Sequence, residues 1–384
     1  MINEKKIAIF GAGNAGQYLC DELLKKEYKI VGFIDNFQKG EYRKIKIYRP
    51  QDFFDEFDMD TIYAVFLAAG AQKTLKLMID VCQSHQCYNI YMMHDIVGKC
   101  RLPIFDENGL IAARVRKIQF SGDKPTLHYF EVPVTDTCNL NCKGCLFATN
   151  MPGDNQHIAF DSIQKDAQRM AELFFDVPWI RILGGEPLMH PDITRILGCY
   201  RELFPNSEID LCTNGLLIPK MEESFWDCLK ENHISIHVSG YKPTYNMLEQ
   251  IDSVLKKHGL PYVILKRESF LKYYTDKPDN DMQQSFEKCI ASSCYEVYRG
   301  KISSCSAAIA FEKFNGQFGT KYQIRENEDW FDIHRPDADA GKISEALGKA
   351  SCLCKYCDTA KAESFEWDYA RNGSGLQDYL IEKG

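Results

Sequence analysis

Three cysteines on one short stretch, Cys138-Asn-Leu-Asn-Cys142-Lys-Gly-Cys145, are the residues whose type and spacing point most directly to chemistry. Thiolates this close can share one iron–sulfur cubane. Four-iron clusters normally take four cysteines, so a loop that offers three leaves one iron open to an outside ligand, as open catalytic metal sites do. A closed zinc site is the alternative; it wants a nearby fourth Cys or His, and the nearest, His157, lies twelve residues beyond Cys145. Six more cysteines gather toward the C-terminus as Cys289, Cys294, Cys305 and Cys352, Cys354, Cys357, while Cys20, Cys82, Cys87, Cys100, Cys199, Cys212 and Cys228 are scattered. The scattered seven read as small buried hydrophobes, the usual state of a free cysteine.

Other residues stand where chemistry would need them. Gly184-Gly185-Glu186-Pro187 combines glycines, which let a backbone approach closely, with a carboxylate that can accept from an ammonium. Thr213-Asn214-Gly215 and Ser239-Gly240 each follow a strand-like run, and any of these three segments alone would be an ordinary turn. Alternation along 234–239 sets Ser235, His237 and Ser239 on one face. His237, Tyr241 and Lys266 are the candidate catalytic residues, with Arg299 also open as a base. For His237 the competing reading is a satisfied structural histidine, and for Lys266 a snorkelling surface lysine.

The elements that must position these groups form two alternating series. Strand-like runs at 6–10, 29–34, 62–67 and 89–93 alternate with helix-like runs at 17–26 and 72–84, which predicts a small parallel sheet covered on both faces. Residues 101–127, mixed in polarity with Gly122 and Pro125 close together, read as a connector. The second series predicts strands at 129–135, 179–183, 208–213, 234–239 and 262–266, with helices at 160–174, 191–203, 221–231 and 244–258 between them. Five such units suggest a full or partial barrel with its chemistry at the C-terminal strand ends. Beyond about residue 275 the pattern turns irregular and cysteine-rich, which favours a small region held by metal over one held by a large core. The domains expected are therefore 1–100, a connector at 101–127, 128–275 and 276–384.

At the first strand-to-helix junction, Gly11-Ala-Gly13-Asn-Ala-Gly16 is followed by Asp35 at the end of the next strand, a dinucleotide-binding fingerprint in its proper frame. Amides at that helix start could hold a pyrophosphate, and Asp35 a ribose hydroxyl. The net charge of −8 leaves no obvious basic surface for nucleic acid, and no apolar run approaches the roughly 20 residues that span a bilayer. A cytoplasmic protein with neither nucleic-acid nor membrane partners is expected, and sixteen cysteines in a reducing compartment ask for metal ligation.

The spacing Cys138-x3-Cys142-x2-Cys145 after a strand, with Gly184 to Pro187 after the next, resembles the radical S-adenosylmethionine (SAM) superfamily. The resemblance implies a partial (β/α)6 TIM-like barrel in which Cys138, Cys142 and Cys145 hold a [4Fe–4S] cluster. Its open iron would chelate the amino and carboxylate groups of SAM. It further implies that the Gly184, Gly185, Glu186, Pro187 motif meets the methionine amino group, that Thr213, Asn214 and Ser239 face the ribose and carboxylate, and that a flavodoxin- or ferredoxin-type protein donates the electron. Many family members carry an aromatic residue just before the third cysteine; Gly144 stands there in this chain, which puts the packing at that point in question. The spacing from Cys289 through Gly300 to Cys305, with a later Cys354-Lys-Tyr-Cys357 pair, resembles the SPASM and twitch extensions of the superfamily, twitch being the better match. That similarity implies one auxiliary [4Fe–4S] cluster on Cys289, Cys305, Cys354 and Cys357, with Cys294 or Cys352 able to replace a ligand and a zinc site as the alternative. Val31-Gly-Phe-Ile-Asp35-Asn36 is similar to the Rossmann-like N-terminal domain of bacterial sugar O-acyltransferases. A nucleotide sugar, a docking scaffold that binds nothing and NAD(P) are the readings it leaves.

The resemblances together imply an oxidoreductase that abstracts hydrogen from a carbohydrate-like or aminocyclitol-like small molecule, the auxiliary cluster taking the second electron of a dehydrogenation. Epimerisation and peptide modification are the rivals within the superfamily. A non-catalytic iron–sulfur protein that carries electrons or senses redox state, and a binding scaffold, are the rivals outside it.

Overall fold

The computed structural model describes residues 5–25, 27–68, 72–93, 115–149, 151, 156–370 and 374–381. Cys100 and the first part of the expected connector, 101–114, lie outside the described residues. The chain divides into two compact units, Met1–Gly122 and Asp123–Gly384.

The first unit is a seven-stranded sheet in the order β3-β4-β2-β1-β5-β6-β7. Its strands are β1 (Lys6–Phe10), β2 (Lys29–Ile34), β3 (Gly40–Tyr42), β4 (Ile45–Tyr48), β5 (Ile62–Leu67), β6 (Ile90–Met93) and β7 (Val115–Lys117), with helices α1 (Asn14–Lys25), α2 (Pro50–Glu56) and α3 (Gln72–Ser84) in the connections. The pairs β1–β2, β1–β5, β2–β4 and β5–β6 are parallel. Near-continuous apolar strands such as Ile7, Ala8, Ile9 and Phe10 suit that arrangement, because both faces are covered. Two elements depart from expectation. Arg43 and Lys44 turn a two-residue hairpin between β3 and β4 with φ of +53° and +64°, the primed-turn geometry that fits strand twist, although neither is the Asn or Gly that advertises it. Within the expected connector, β7 pairs antiparallel with β6, so that segment supplies an edge strand.

The second unit centres on an eight-stranded sheet, order β12-β11-β10-β9-β8-β14-β15-β16. Strands β8 (Tyr129–Pro133), β9 (Trp179–Leu183), β10 (Glu208–Thr213), β11 (Ile234–Gly240) and β12 (Tyr262–Lys266) are all parallel, linked through α4 (Phe160–Leu173), α5 (Ile193–Leu203), α6 (Glu223–Glu231), α7 (Lys242–Tyr245) and α8 (Leu248–His258). Alternation gives each strand two characters. Phe130, Val132, Ile180, Ile182, Leu211 and Ile236 join the helices in one apolar core, while Glu131, Arg181, Asp210 and His237 occupy the other face.

The C-terminal region does not stand apart as the boundary at 275/276 anticipates. After β13 (Ser269–Lys272) and α9 (Met282–Lys288), β14 (Glu296–Tyr298) pairs parallel with β8, and β15 (Lys301–Ser303) and β16 (Trp330–Asp332) extend the same sheet antiparallel. The remaining elements are α10 (Ala307–Phe318), α11 (Ala340–Leu347) and β17 (Glu363–Glu366), the last paired with β13. An aromatic core of Tyr274, Phe311, Phe314, Tyr322, Tyr356 and Tyr379 packs here, so this region owns more apolar interior than its irregular sequence suggests. Among the described residues no helix is long and apolar enough to cross a membrane.

Candidate functional site

The loop that leaves β8 carries the three cysteines, and its neighbours are built around it. Gly184 takes φ +148°, and a Cβ there would lie 2.6 Å from the Thr135 carbonyl; one on Gly185 would lie 2.3 Å from that of Thr137. Only glycines let the chain after β9 run this close to the chain after β8, where Gly185 and Glu186 donate their N–H groups to the Thr135 and Thr137 carbonyls. The motif thus fixes the backbone leading into Cys138, and Pro187 opens a short helical turn behind it.

Glu186 is fully buried. Its Oε1 accepts from Leu188 N–H at 3.1 Å and from the Thr213 hydroxyl at 2.6 Å, and its Oε2 from Asn214 N–H at 2.8 Å. A carboxylate offers about four acceptor positions, so three are taken and one, on Oε2, is not. Burial pushes this carboxyl up to about 7 against the pull of those three donors. Asn214 reaches on to Asn139 in the cysteine loop at 2.6 Å, and the Thr244 hydroxyl donates to the Asn214 carbonyl at 2.8 Å. Thr213 and Asn214, expected to face a cofactor directly, spend their side chains on this network, which locks together the loops after β8, β9, β10 and β11.

Cys138, Cys142 and Cys145 pack in one cluster with Leu140 and Trp367. Burial raises the thiols of Cys138 and Cys142, each further raised by the cysteines beside it. Donors already point at the sulfurs: Leu140 N–H to Cys138 Sγ at 3.4 Å and the Trp367 indole to Cys142 Sγ at 3.1 Å, with Thr149 Oγ1 3.5 Å from Cys145 Sγ. Among the described residues no three His, Cys, Asp or Glu side chains converge on a point that would hold a single metal ion. A cubane gives each thiolate its own iron and accepts a looser spacing, and N–H groups aimed at sulfur are what tunes such a cluster. The residues present fit a four-iron cluster with three protein ligands.

Trp367 comes from the far end of the chain. There Lys143 N–H donates to Asp368 O and Ala370 N–H to Asn141 O, so residues 367–370 cover the cysteine loop. Gly144 takes φ +63°, and a Cβ on it would lie 2.8 Å from both the Asp378 carbonyl and the Phe365 ring. An aromatic ring from the C-terminal segment therefore packs where a side chain at 144 would start.

Four of the six C-terminal cysteines share one pocket. Cys289, Cys305, Cys354 and Cys357 line it together with Tyr273 and Tyr274. Burial raises Cys305 and Cys357, and each of the two is raised further by Cys289 and Cys354. Cys294 and Cys352 are not in that lining. Cys352 donates to Glu328 Oε2 at 3.0 Å, and Cys294 is half-buried, its thiol raised by burial first and then by the charges of Glu131, Glu296 and Cys289 against the pull of Arg181. Four thiols on one pocket are the number and type of ligand that a four-iron cluster takes.

The face of the second sheet opposite its apolar core is polar. Register aligns Glu296, Glu131, Arg181 and Asp210 across β14, β8, β9 and β10. Arg181 Nε meets Asp210 Oδ2 at 2.9 Å, its NH2 group donates to His237 Nδ1 at 3.3 Å, and its NH1 group stands 3.9 Å from Glu131 Oε1. His237 is held in this network, and Tyr129 donates to Glu131. Cys212, whose thiol burial raises to about 11, is half-buried and lies 3.7 Å from Ser239 Oγ, whereas Cys20, Cys82, Cys87 and Cys199 are buried as expected. Tyr241 packs edge-on to Phe270 and stacks with Trp367, beside the cysteine loop, and burial holds its hydroxyl well above its usual range. Lys266 is not brought to this place. It pairs with Gly240, so it faces away from Ser239 and His237, and it is exposed with Nζ 5.4 Å from the Tyr245 ring. Arg299 pairs with Asp136 at 3.3 Å, alongside Tyr298 and Lys313 on the same carboxyl. Glu131, Arg181, Asp210 and Glu296 went unread in the sequence, yet for Glu131 and Arg181 a charged residue midway along an otherwise apolar strand was the available signal.

In the first unit, Gly11 takes φ +107° with a would-be Cβ 2.7 Å from Ala68 O, and one on Gly16 would lie 1.8 Å from Gly11 O. One on Gly13 meets nothing closer than 3.8 Å, so of these three glycines Gly13 alone has open space beside it. Asp35 already accepts from the N–H groups of Ala12, Phe37 and Gln38 at 2.7–2.8 Å. Its first service is to tie the glycine-rich loop to the end of β2.

Residues 132–267 match the family model of the Radical SAM superfamily, a span that includes all three cysteines of the first loop, Glu186, Asn214 and Ser239. The chain thus carries a radical SAM domain, and that domain implies a four-iron cluster and SAM. GTP 3',8-cyclase of Staphylococcus aureus (strain JH9) is 34% identical over 110 residues, 27% of this chain and 32% of its own length. The same figures hold for the enzyme of strain Newman. The chain thus spans about a third of the curated relatives it matches. Among solved structures, BtrN in complex with AdoMet and 2-DOIA is 16% identical with a TM-score of 0.41, covering 61% of this chain and 94% of that one. Native anSMEcpe with bound AdoMet and a peptide is 19% identical with a TM-score of 0.30, covering 38% and 44%.

Proposed function

We propose that this protein is a radical SAM enzyme that removes hydrogen from a small carbohydrate-like substrate held on the polar face of the second sheet, and that the net reaction is a dehydrogenation. Cys138, Cys142 and Cys145 would hold the SAM-binding cluster and Cys289, Cys305, Cys354 and Cys357 an auxiliary one. When bound, the first cluster supplies the electron that splits SAM into methionine and a 5′-deoxyadenosyl radical. The protein's own share is positioning. The free acceptor on Glu186 Oε2 would receive the SAM ammonium, the Asn139–Asn214–Glu186 network would hold the loops in register, and Trp367 and Tyr241 would keep water from the cysteine loop.

The observation that carries the dehydrogenase reading is the pocket lined by four thiols, a place for an acceptor of the second electron. Cys289 of that pocket and Glu131 and Arg181 of the polar face all act electrostatically on one thiol, that of Cys294. A substrate there would have an electron acceptor on one side and carboxylates to take its proton. A second reading, epimerisation, is favoured by Cys212, a half-buried thiol on the same face that could return a hydrogen atom. The partial barrel, the twitch-like assignment of the C-terminal region and an electron donor of flavodoxin or ferredoxin type belong to this proposal. So does a nucleotide or nucleotide sugar at Gly13, supported by the open side of that glycine.

The test is release of 5′-deoxyadenosine from SAM by anaerobically reconstituted protein with dithionite, beside Cys142→Ala. Release that depends on Cys142 supports the enzyme. No release from protein shown to hold its full iron would instead leave a cluster protein that carries or senses electrons.

A further inference from the structure

Three carboxyls and one guanidinium share the rung that crosses β14, β8, β9 and β10, and their partners are unequally divided. Asp210 takes the guanidinium of Arg181 at 2.9 Å and the Trp179 indole at 2.7 Å. Glu131 takes the Tyr129 hydroxyl and stands 3.9 Å from Arg181. Glu296 is 1% exposed, and its Oε2 is buried without a hydrogen-bond partner. Its register partner is Glu131, so the two carboxyls lie side by side on one face of adjacent parallel strands.

A buried carboxyl without a donor is costly, and a second carboxyl beside it raises the cost, because two such groups cannot both ionise in a dry interior. Proteins rarely leave such an atom unmet. Arg181 does not meet it, since Asp210 is its nearer partner. Of the other polar groups on this face, Tyr129 and Cys294 bring no positive charge, and His237, three strands away from β8 on β11, is already engaged by Arg181. What the rung lacks is a compact cation with several N–H donors.

We propose that Glu296 and Glu131 form a subsite for a primary ammonium group, so that the substrate of this enzyme is an amine-bearing small molecule. This rests on the reading that the polar face receives the substrate, and it names which end of that substrate is recognised. An ammonium offers three donors and a full positive charge, enough to satisfy Glu296 Oε2, bridge to Glu131 and let both carboxyls ionise. A hydroxyl in the same position brings one donor and no charge. The subsite therefore selects an amine over the alcohol of the same shape, a discrimination that a site built to bond one group enforces strongly.

The experiment uses full-length, cluster-loaded protein and methylammonium chloride, small enough to enter a face this occluded. Thermal melting is compared in methylammonium chloride, in sodium chloride of equal ionic strength and in methanol at equal concentration. Wild type is expected to melt about 2–4 °C higher in methylammonium than in either control, and Glu296→Gln to lose that difference. Glu131→Gln serves as a second variant with the same expectation should Glu296→Gln fold poorly. No methylammonium-specific shift in wild type, or an equal shift in both variants, overturns the subsite. Deoxyadenosine release is measured on the same preparation: a shift without release faults the enzyme reading and keeps the ammonium site, while release without a shift removes the site and keeps the enzyme.

Discussion

Replacing Glu186 by glutamine separates the two services that its carboxyl performs. The amide oxygen can stay where Oε1 now accepts from Leu188 and Thr213, which leaves the NH2 group in place of Oε2, facing the N–H of Asn214. One hydrogen bond is lost and two donors are opposed, which should cost about 1–3 kcal/mol in stability. Alanine strands all three donors and should cost about 3–5 kcal/mol. Urea unfolding of the three proteins ranks them wild type, Gln, Ala. The ligand side is measured independently, by equilibrium dialysis of SAM against protein of matched iron content. If the fourth acceptor position on Oε2 meets the SAM ammonium, Glu186→Gln loses one charge-assisted bond and binds SAM about 10- to 100-fold more weakly. Unchanged SAM affinity would refute the ammonium contact, and unchanged stability would refute the network that joins the loops.

Iron analysis tests the choice of ligands: changing Cys354 and Cys357 together to serine should halve the iron from about eight to about four per chain, while Cys294→Ser and Cys352→Ser should each retain it all. Trp367→Phe removes the indole N–H from Cys142 Sγ. A donor to sulfur stabilises the more negative, reduced cluster, so its loss should lower the reduction potential by about 40 mV, one ordinary hydrogen bond, in an EPR-monitored titration. Asp35 is held below its ordinary value because three backbone N–H donors outweigh the burial that opposes them. A depressed carboxyl stabilises the fold above its unfolded-state value and loses that contribution as pH falls through the folded one. Hydrogen exchange of the segment 6–38 should therefore be faster in Asp35→Asn than in wild type at pH 7, with the gap closing on acidification below about pH 4.

Strand positions in both units could be read from the sequence because parallel strands are short apolar runs bounded by turns. The runs expected at 179–183, 208–213 and 262–266 are β9, β10 and β12 as found. The helix expected at 244–258 breaks at Asn246 and Met247 into α7 and α8, a detail that apolar spacing does not encode. The cysteine loop and the Gly184–Pro187 motif were legible because their chemistry is local. The roles of Asn139, Thr244 and Trp367 were not, for each depends on a partner between 30 and 225 residues away that no window along the chain contains. Thr213 and Asn214 show the same limit from the other side: their positions were readable, while their use as internal links became visible only with Glu186 in place.

Gly144 argues that such long-range compensation shaped the site itself. A glycine before the third cysteine looked like a packing defect as long as only residues 138 to 145 were considered. Its left-handed backbone and the 2.8 Å approach of Phe365 and of the Asp378 carbonyl leave no room for any side chain. The ring that packs at this point is delivered by β17, held in place by its pairing with β13. The next residues, through Ala370, hydrogen-bond to the cysteine loop and aim the Trp367 indole at Cys142. The small residue and the distant aromatic segment are thus one device. A bulkier residue at 144 would push the C-terminal segment away and remove the sulfur's hydrogen bond together with the cover over the loop. Shortening the chain before residue 363 should do the same, exposing the first cluster while leaving its three ligands intact.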